Sequence, residues 1–251
     1  MIEINHLSKK YSRTNTYAVK DLSLTVPDGE IFGFLGPNGA GKSTTIKCIT
    51  GILPYDEGTI SVCGDNIKDE PLRAKRRIAY VADEHNLYEH LTGLQYINFI
   101  ADVFGVGERE RRERTEKYAA VFEMTEKIKE RISSYSHGMK QKISIIAGLV
   151  HDPDVWILDE PLTGLDPKSS YQVKNLMKEF ASQGKTVFFS SHVLDVVEKI
   201  CTKVAIINEG KLVTVCNMEE LQERKSNMNL ETLFLQLTEG LGGKNDLVDG
   251  I

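Results

Sequence analysis

The run Gly36-Pro37-Asn38-Gly39-Ala40-Gly41-Lys42-Ser43-Thr44 fits the pattern G-x-x-x-x-G-K-[ST]. Glycines at this spacing let a backbone curl until its N–H groups point inward, where phosphate oxygens accept them. A helix starting at the end of such a loop adds its positive N-terminal potential. Lys42 is then placed to reach the β- and γ-phosphates of a nucleotide, and Ser43 to ligate Mg²⁺. A flexible turn that happens to carry a lysine is the competing reading. Context decides against it: the apolar run Ile31-Phe32-Gly33-Phe34-Leu35 enters the loop as a buried strand, and a helix carrying Ile46 and Ile49 leaves it.

A second chemical candidate is Val155-Trp156-Ile157-Leu158-Asp159-Glu160. Here two carboxylates follow a buried strand, at the end where open α/β sheets hold their ligands. Asp159 suits the outer shell of Mg²⁺, and Glu160 the general base on an attacking water. In isolation an Asp-Glu pair after a strand is a solvated loop. Beside a phosphate loop it becomes a hydrolytic pair.

These residues need a scaffold, and the pattern supplies one. Ile2, Ile4 and Leu7, then Leu22, Leu24 and Val26, alternate like half-buried strands, with a turn at Pro27-Asp28-Gly29. Thr59 to Cys63 and Ile78 to Val81 are further strands. From Leu91 to Leu149 the texture is helical, with Leu94, Ile97, Ala101 and Phe104 on one face and Gly105 and Gly107 ending it. Glu108 to Lys117 mixes charges densely and is read as a solvated helix laced with i,i+4 pairs. The β/α rhythm then resumes: Val155 to Leu158, a helix from Lys168 to Gln183, and a strand from Thr186 to Ser190. A short helix over Val193 to Ile200 follows, then a hairpin of Val204 to Ile207 and Leu212 to Val215 across Asn208-Glu209-Gly210. Leu230 to Leu237 is a last short helix, and the Gly-rich end after Glu239 is expected to fray.

Bulk properties exclude several classes. With 251 residues, 41% apolar content and 27% charge, the chain can build a sizeable core. Its formal net charge of −5 offers no basic field, so no nucleic-acid partner is expected. Cys48, Cys63, Cys201 and Cys216 lack metal-ligand spacing and read as reduced thiols of a cytosolic protein. The N-terminus lacks the pattern of a signal peptide. The longest nearly apolar run, Ile143 to Val150, is far short of the ~20 residues of a membrane-spanning helix.

Further motifs carry a resemblance. Tyr135-Ser136-His137-Gly138-Met139-Lys140-Gln141 resembles the signature motif of ATP-binding cassette (ABC) ATPases, at that family's spacing before Asp159-Glu160-Pro161. Leu162-Thr163-Gly164-Leu165-Asp166-Pro167 resembles the family's D-loop, and Ser190-Ser191-His192 its switch histidine. Tyr11 stands where the family stacks an aromatic ring on adenine, with Tyr17 as an alternative. Together these cover Ile2 to Cys216. The form Tyr-Ser-x-Gly-Met-Lys-Gln, with Asn86 to Thr92 and the Leu230-Glu231-Thr232-Leu233-Phe234 ending, is similar to the ABC-2-type exporter branch.

The resemblance implies a RecA-like α/β P-loop NTPase core with an N-terminal antiparallel β portion and an inserted helical subdomain. Residues 1–83 and 150–217 would form the ATP-binding core, 84–149 the helical subdomain and 218–251 a C-terminal helical extension and tail. Glu160, His192 and Lys42 become the catalytic set. ATP would contact Tyr11, Gly36 to Thr44, Asp83 and Asp159, and Mg²⁺ would be held near Ser43, Asp83 and Asp159. Ser136, His137 and Gly138 would reach the ATP held by a second ATP-binding subunit in a head-to-tail dimer, although His137 could instead turn outward and cap its helix. An integral membrane permease is the implied partner, with the chain peripheral on the cytoplasmic face of the membrane. Two departures stand out: Asp83 replaces the Q-loop glutamine, and His137 replaces the signature's first glycine, with Met139 at its usual final glutamine. A soluble ABC ATPase acting on nucleic acid or the ribosome, and a P-loop kinase, are the rival readings.

Overall fold

A computed structural model describes residues 1–11, 16–83, 86–223 and 230–239. The chain runs through strands β1 (Ile2–Lys10), β2 (Tyr17–Val26) and β3 (Ile31–Leu35), then helix α1 (Lys42–Ile49). Next come β4 (Glu57–Val62), β5 (Asp65–Asn66), α2 (Pro71–Arg76) and β6 (Ile78–Val81). A helical stretch follows, with α3 (Gly93–Phe104), α4 (Glu108–Val121), two 3₁₀ turns and α5 (His137–Leu149). The remainder is β7 (Val155–Asp159), α6 (Pro167–Ser182), β8 (Thr186–Ser191), α7 (Leu194–Ile200), β9 (Lys203–Asn208), β10 (Lys211–Asn217), α8 (Met218–Glu223) and α9 (Leu230–Glu239).

Two sheets organise these elements. The antiparallel sheet has the order β2-β1-β4-β5, and the larger one β10-β9-β3-β8-β7-β6. In the larger sheet β9, β3, β8, β7 and β6 run parallel, and only β10 is antiparallel to its neighbour. Both faces of the parallel strands are buried, and successive residues serve different cores. Phe32, Phe34, Ile157 and Phe188 pack toward the small sheet with Ile4, Leu22 and Ile60. Leu35, Trp156, Leu158, Val187 and Phe189 pack toward the helical stretch and α6.

The expected α/β core, antiparallel β portion and helical insertion are all present. So is the hairpin, whose strands β9 and β10 pair from Asn208 and Lys211. Two expectations need correction. Leu94 does not share the buried face of α3: it is 37% exposed, while Ile97 and Ala101 are buried and Tyr96, Ile100 and Phe104 partly so. Thr92 starts the helix with a capping box through Gln95, which turns Gly93 inward. A Cβ on Gly93 would come within 2.5 Å of the Tyr135 hydroxyl, so the glycine takes the buried place in the first turn. The charged helix α4 also differs from expectation. Arg109 and Glu113 form an i,i+4 pair at 3.9 Å, but other charges tie the helix to its neighbours: Arg111 to Asp102, Arg114 to Asp152 and Lys117 to Glu179. Helix α2, which Pro71 starts, buries only Ala74 and so shows no apolar period in the sequence. The C-terminal stretch after Glu239, expected to fray, lies outside the described residues, as does Glu84 at the expected edge of the helical subdomain.

Candidate functional site

The parallel strands β3, β8, β7 and β6 are neighbours, so their carboxyl ends lie along one edge. From that edge emerge the phosphate loop after Leu35, His192 after β8, Glu160 after β7 and Asp83 beyond β6. Four segments distant in sequence therefore meet at one place.

The phosphate loop is held by backbone contacts that only glycine permits. A Cβ on Gly36 would lie 2.3 Å from the Ile207 carbonyl oxygen. Gly41 has φ +105°, and a Cβ there would lie 2.5 Å from the Ala18 carbonyl oxygen. The turn of the β9–β10 hairpin braces the same loop: the Gly210 N–H donates to the Ala40 carbonyl at 3.0 Å, and the Lys20 N–H to the Gly210 carbonyl at 2.8 Å. This brace joins residues some 170 positions apart, and no local pattern announced it. Lys42 is 7% exposed, and its ammonium donates to the carbonyls of Gly36 at 2.7 Å and Pro37 at 3.2 Å. Burial pushes its pKa down, and the charges of Glu160 and Asp159 offset part of that.

Glu160 follows β7 in a left-handed conformation, φ +48°, which costs a non-glycine residue of the order of 1 kcal/mol. That turn brings its carboxylate to His192, with Nδ1 2.9 Å from Oε2. Ser190 ties the arrangement together: its hydroxyl donates to Asp159 Oδ1 at 2.5 Å and accepts the Glu160 N–H at 3.1 Å. The sequence marked Ser190 only as part of the histidine motif. Its buried hydroxyl fixes both carboxylate-bearing residues.

A cavity of about 350 Å³ sits over the loop, a size suited to a small ligand. Tyr11, Lys42, Ser43, Thr44, Asp83 and Glu160 line it, together with the loop at Asn38, Gly39 and Gly41. The Tyr11 hydroxyl is 3.3 Å from Thr44 Oγ1. Tyr17 instead carries the Lys10 ammonium 4.2 Å above its ring and does not line this cavity. Asp159 lies behind the cavity, 3% exposed. Hard oxygen donors suit Mg²⁺, and Ser43 and Asp83 supply two at the wall. Among the described residues no group of three or more His, Cys, Asp or Glu side chains could hold a metal. A magnesium ion here would complete its shell with phosphate and water oxygens.

Ser136, His137 and Gly138 are elsewhere. Ser136 caps α5, its hydroxyl accepting the Met139 N–H at 3.3 Å. Both Ser136 and His137 are exposed, and none of the three lines the cavity. His137 does not project away from the fold: its ring lies against Gly164.

The family model described as ABC transporter matches residues 19–163, more than half of the chain. The chain belongs to the ABC transporter family. It is an ATP-binding subunit of that family and hydrolyses ATP, with the phosphate loop, Asp159-Glu160 and His192 at a single edge of its sheet. Among relatives, the linearmycin resistance ATP-binding protein LnrL of Bacillus subtilis is 36% identical over 89% of this chain and 71% of its own length. The ABC transporter ATP-binding protein NatA of the same organism is 32% identical over 94% of this chain and 97% of its own. The daunorubicin/doxorubicin resistance ATP-binding protein DrrA of Streptomyces peucetius is 35% identical over 94% and 70%. A solved ATP-binding subunit of an ABC transporter superposes with a TM-score of 0.88 at 30% identity, covering 94% of this chain and 99% of that one. Among the described residues no helix is long and apolar enough to cross a membrane. All four cysteines are described, and no disulfide joins them.

Proposed function

We propose that this ABC ATPase works as a head-to-tail dimer around two MgATP and drives a separate membrane permease of the exporter type. The observation that carries this reading is the split of its ATP-contacting residues. Lys42, Glu160 and His192 gather at the phosphate loop, while exposed Ser136 and His137 and half-buried Gly138 stand at the start of α5 and do not line that cavity. A second copy, turned head to tail, is the molecule whose ATP such a helix start would meet. Its backbone donors and dipole favour an anion there.

In the reaction Tyr11 stacks on the base and the loop N–H groups hold the phosphates. The Lys42 ammonium neutralises charge on the β- and γ-phosphates. Glu160 accepts a proton from the attacking water, and its hydrogen bond to His192 keeps the carboxylate aimed at that water. Mg²⁺, held near Ser43 and Asp83 with Asp159 behind, would supply charge neutralisation across the phosphates. Asp83 in the glutamine position is part of this metal-facing wall.

A second cavity, of about 430 Å³, lies between β6, α3 and α5 and includes Ala82, Asn86, Tyr96, Ile100 and His151. We assign it to a cytoplasmic segment of the permease, which would make the chain's membrane association peripheral and indirect. The names of relatives, drug resistance and bacitracin transport among them, support an exporter.

Glu160→Gln is the test. Phosphate release should fall by about 10²–10⁴-fold while nucleotide binding persists, and sedimentation with MgATP should show a dimer. Full turnover in this variant removes Glu160 from the mechanism. A variant that binds MgATP but stays monomeric at every concentration removes the dimer. Pull-down of an integral membrane protein supports the permease assignment, and pull-down of RNA or DNA overturns it.

A further inference from the structure

We propose that His137 and Gln141 are positioning residues that clamp the turn after Glu160 to the start of α5, so that a displacement at either end is felt by the catalytic carboxylate. The inference rests on Glu160 being the base, as proposed above, and adds a route by which its position is controlled.

Three contacts make the clamp. On the surface, the His137 ring occupies the space a side chain at Gly164 would need. A Cβ on Gly164 would lie 2.3 Å from His137 Cδ2 and 2.9 Å from Nε2. In the interior, Gln141 is 2% exposed and its Nε2 donates to the Pro161 carbonyl at 3.0 Å. At the far end Lys142 stands 3.8 Å from Asp166, which caps α6 through the Ser169 N–H at 2.9 Å. The contacts come from residues 137, 141 and 142, spanning one and a half turns of a single rigid helix. They reach residues 161, 164 and 166 of a single short turn.

That turn is directly continuous with Glu160. Pro161 follows it in sequence, and the Thr163 N–H donates to the Glu160 carbonyl at 3.2 Å, closing the turn back onto the catalytic residue. Glu160 is held in its left-handed conformation between two anchors: Ser190 on the strand side and Gln141 on the turn side. A strained backbone persists only where its surroundings over-determine it. The Gln141 bond is part of that surrounding, because breaking it leaves a buried carbonyl oxygen unpaired. His137 adds a steric stop at Gly164, whose φ of +74° already excludes a relaxed side chain.

A double-mutant cycle on His137 and Gly164 tests the clamp, with Gln141→Leu beside it. Wild type, G164A, H137G and H137G/G164A are compared for kcat at saturating MgATP and for affinity toward a fluorescent ATP analogue. Backbone strain at Gly164 acts in both backgrounds and cancels in the cycle, as does any direct role of His137 at a second nucleotide. G164A is expected to lower kcat by a factor about three or more times larger in the wild-type background than in the H137G background, with pocket affinity little changed. Gln141→Leu is expected to lower kcat without lowering that affinity. Equal factors for G164A in the two backgrounds overturn the role of His137, and a wild-type kcat for Gln141→Leu overturns that of Gln141. Should Gln141→Leu fail to fold, the cycle decides alone, because both of its residues are exposed. Glu160→Gln is assayed alongside. Full turnover there overturns the reading on which the clamp rests; an inactive Glu160→Gln with equal cycle factors overturns the clamp alone.

Discussion

The phosphate-loop cavity and the start of α5 both present helix N-termini suited to anions, yet they are built in opposite ways. Around Lys42 the chain surrounds its ligand space: the lysine is buried, Gly36 and Gly41 are pressed against carbonyls of β9 and β2, and four strand ends contribute. Around Ser136 the helix start is exposed and does not line that cavity. The first site is therefore a property of the single chain, whereas anion binding at the second would need another molecule. A change at the first should act at any protein concentration. At the second it should act through assembly.

The largest expected effect breaks the first region. Lys42→Ala removes a nearly buried ammonium from the loop. MgATP affinity measured by calorimetry should fall by about 10²–10³-fold, and turnover with it, while the thermal transition survives. Wild-type affinity in this variant would mean that the 350 Å³ cavity is not the nucleotide site.

A smaller effect is expected at the second region. Ser136→Ala removes the cap of α5, worth about 1 kcal/mol of stability. In the Glu160→Gln background it should weaken MgATP-dependent dimerisation by roughly tenfold, the worth of one hydrogen bond to a charged group, while monomer nucleotide affinity is unchanged. Equal dimerisation with and without the Ser136 hydroxyl would erase the contrast between the two regions.

A last expectation concerns the second cavity, at the opposite end of α5 from Ser136. His151 follows α5, its ring stacked on Phe104 at 3.7 Å, and neither ring nitrogen has a hydrogen bond of normal geometry. Burial pushes its pKa down to about 4, against a weaker opposing pull from the backbone of Ile78. Because the folded pKa is depressed below the unfolded value near 6.5, the neutral ring contributes stability above pH 6.5. That contribution is lost as pH falls toward 4. Between pH 7 and pH 5 the wild type should therefore lose about 2 kcal/mol more than His151→Phe, which keeps the stack. Urea midpoints at the two pH values measure this, and parallel losses would show that His151 does not titrate on unfolding.

Much of the molecule was legible because its signals are local. The glycine spacing, the apolar entry at Ile31 to Leu35 and the hairpin around Gly210 each depend on neighbours within a few residues. So does the Ser136 cap, which needs only the Met139 N–H three residues on. The face of α3 departs from its local period because of a distant residue. Helical periodicity placed Leu94 with Ile97, but the buried Tyr135 hydroxyl leaves room at the first turn only for Gly93.

What the sequence determined by itself was the chemistry on offer: a phosphate-binding loop, a carboxylate pair, a histidine and a capped helix. Tertiary structure alone decided how these combine. The parallel order β3-β8-β7-β6 brings Lys42, His192, Glu160 and Asp83 to one edge, Gly210 braces the loop, and Ser190 orients both carboxylate residues. Strand order and cross-chain hydrogen bonds depend on residues far apart in sequence, and no local period encodes such distances.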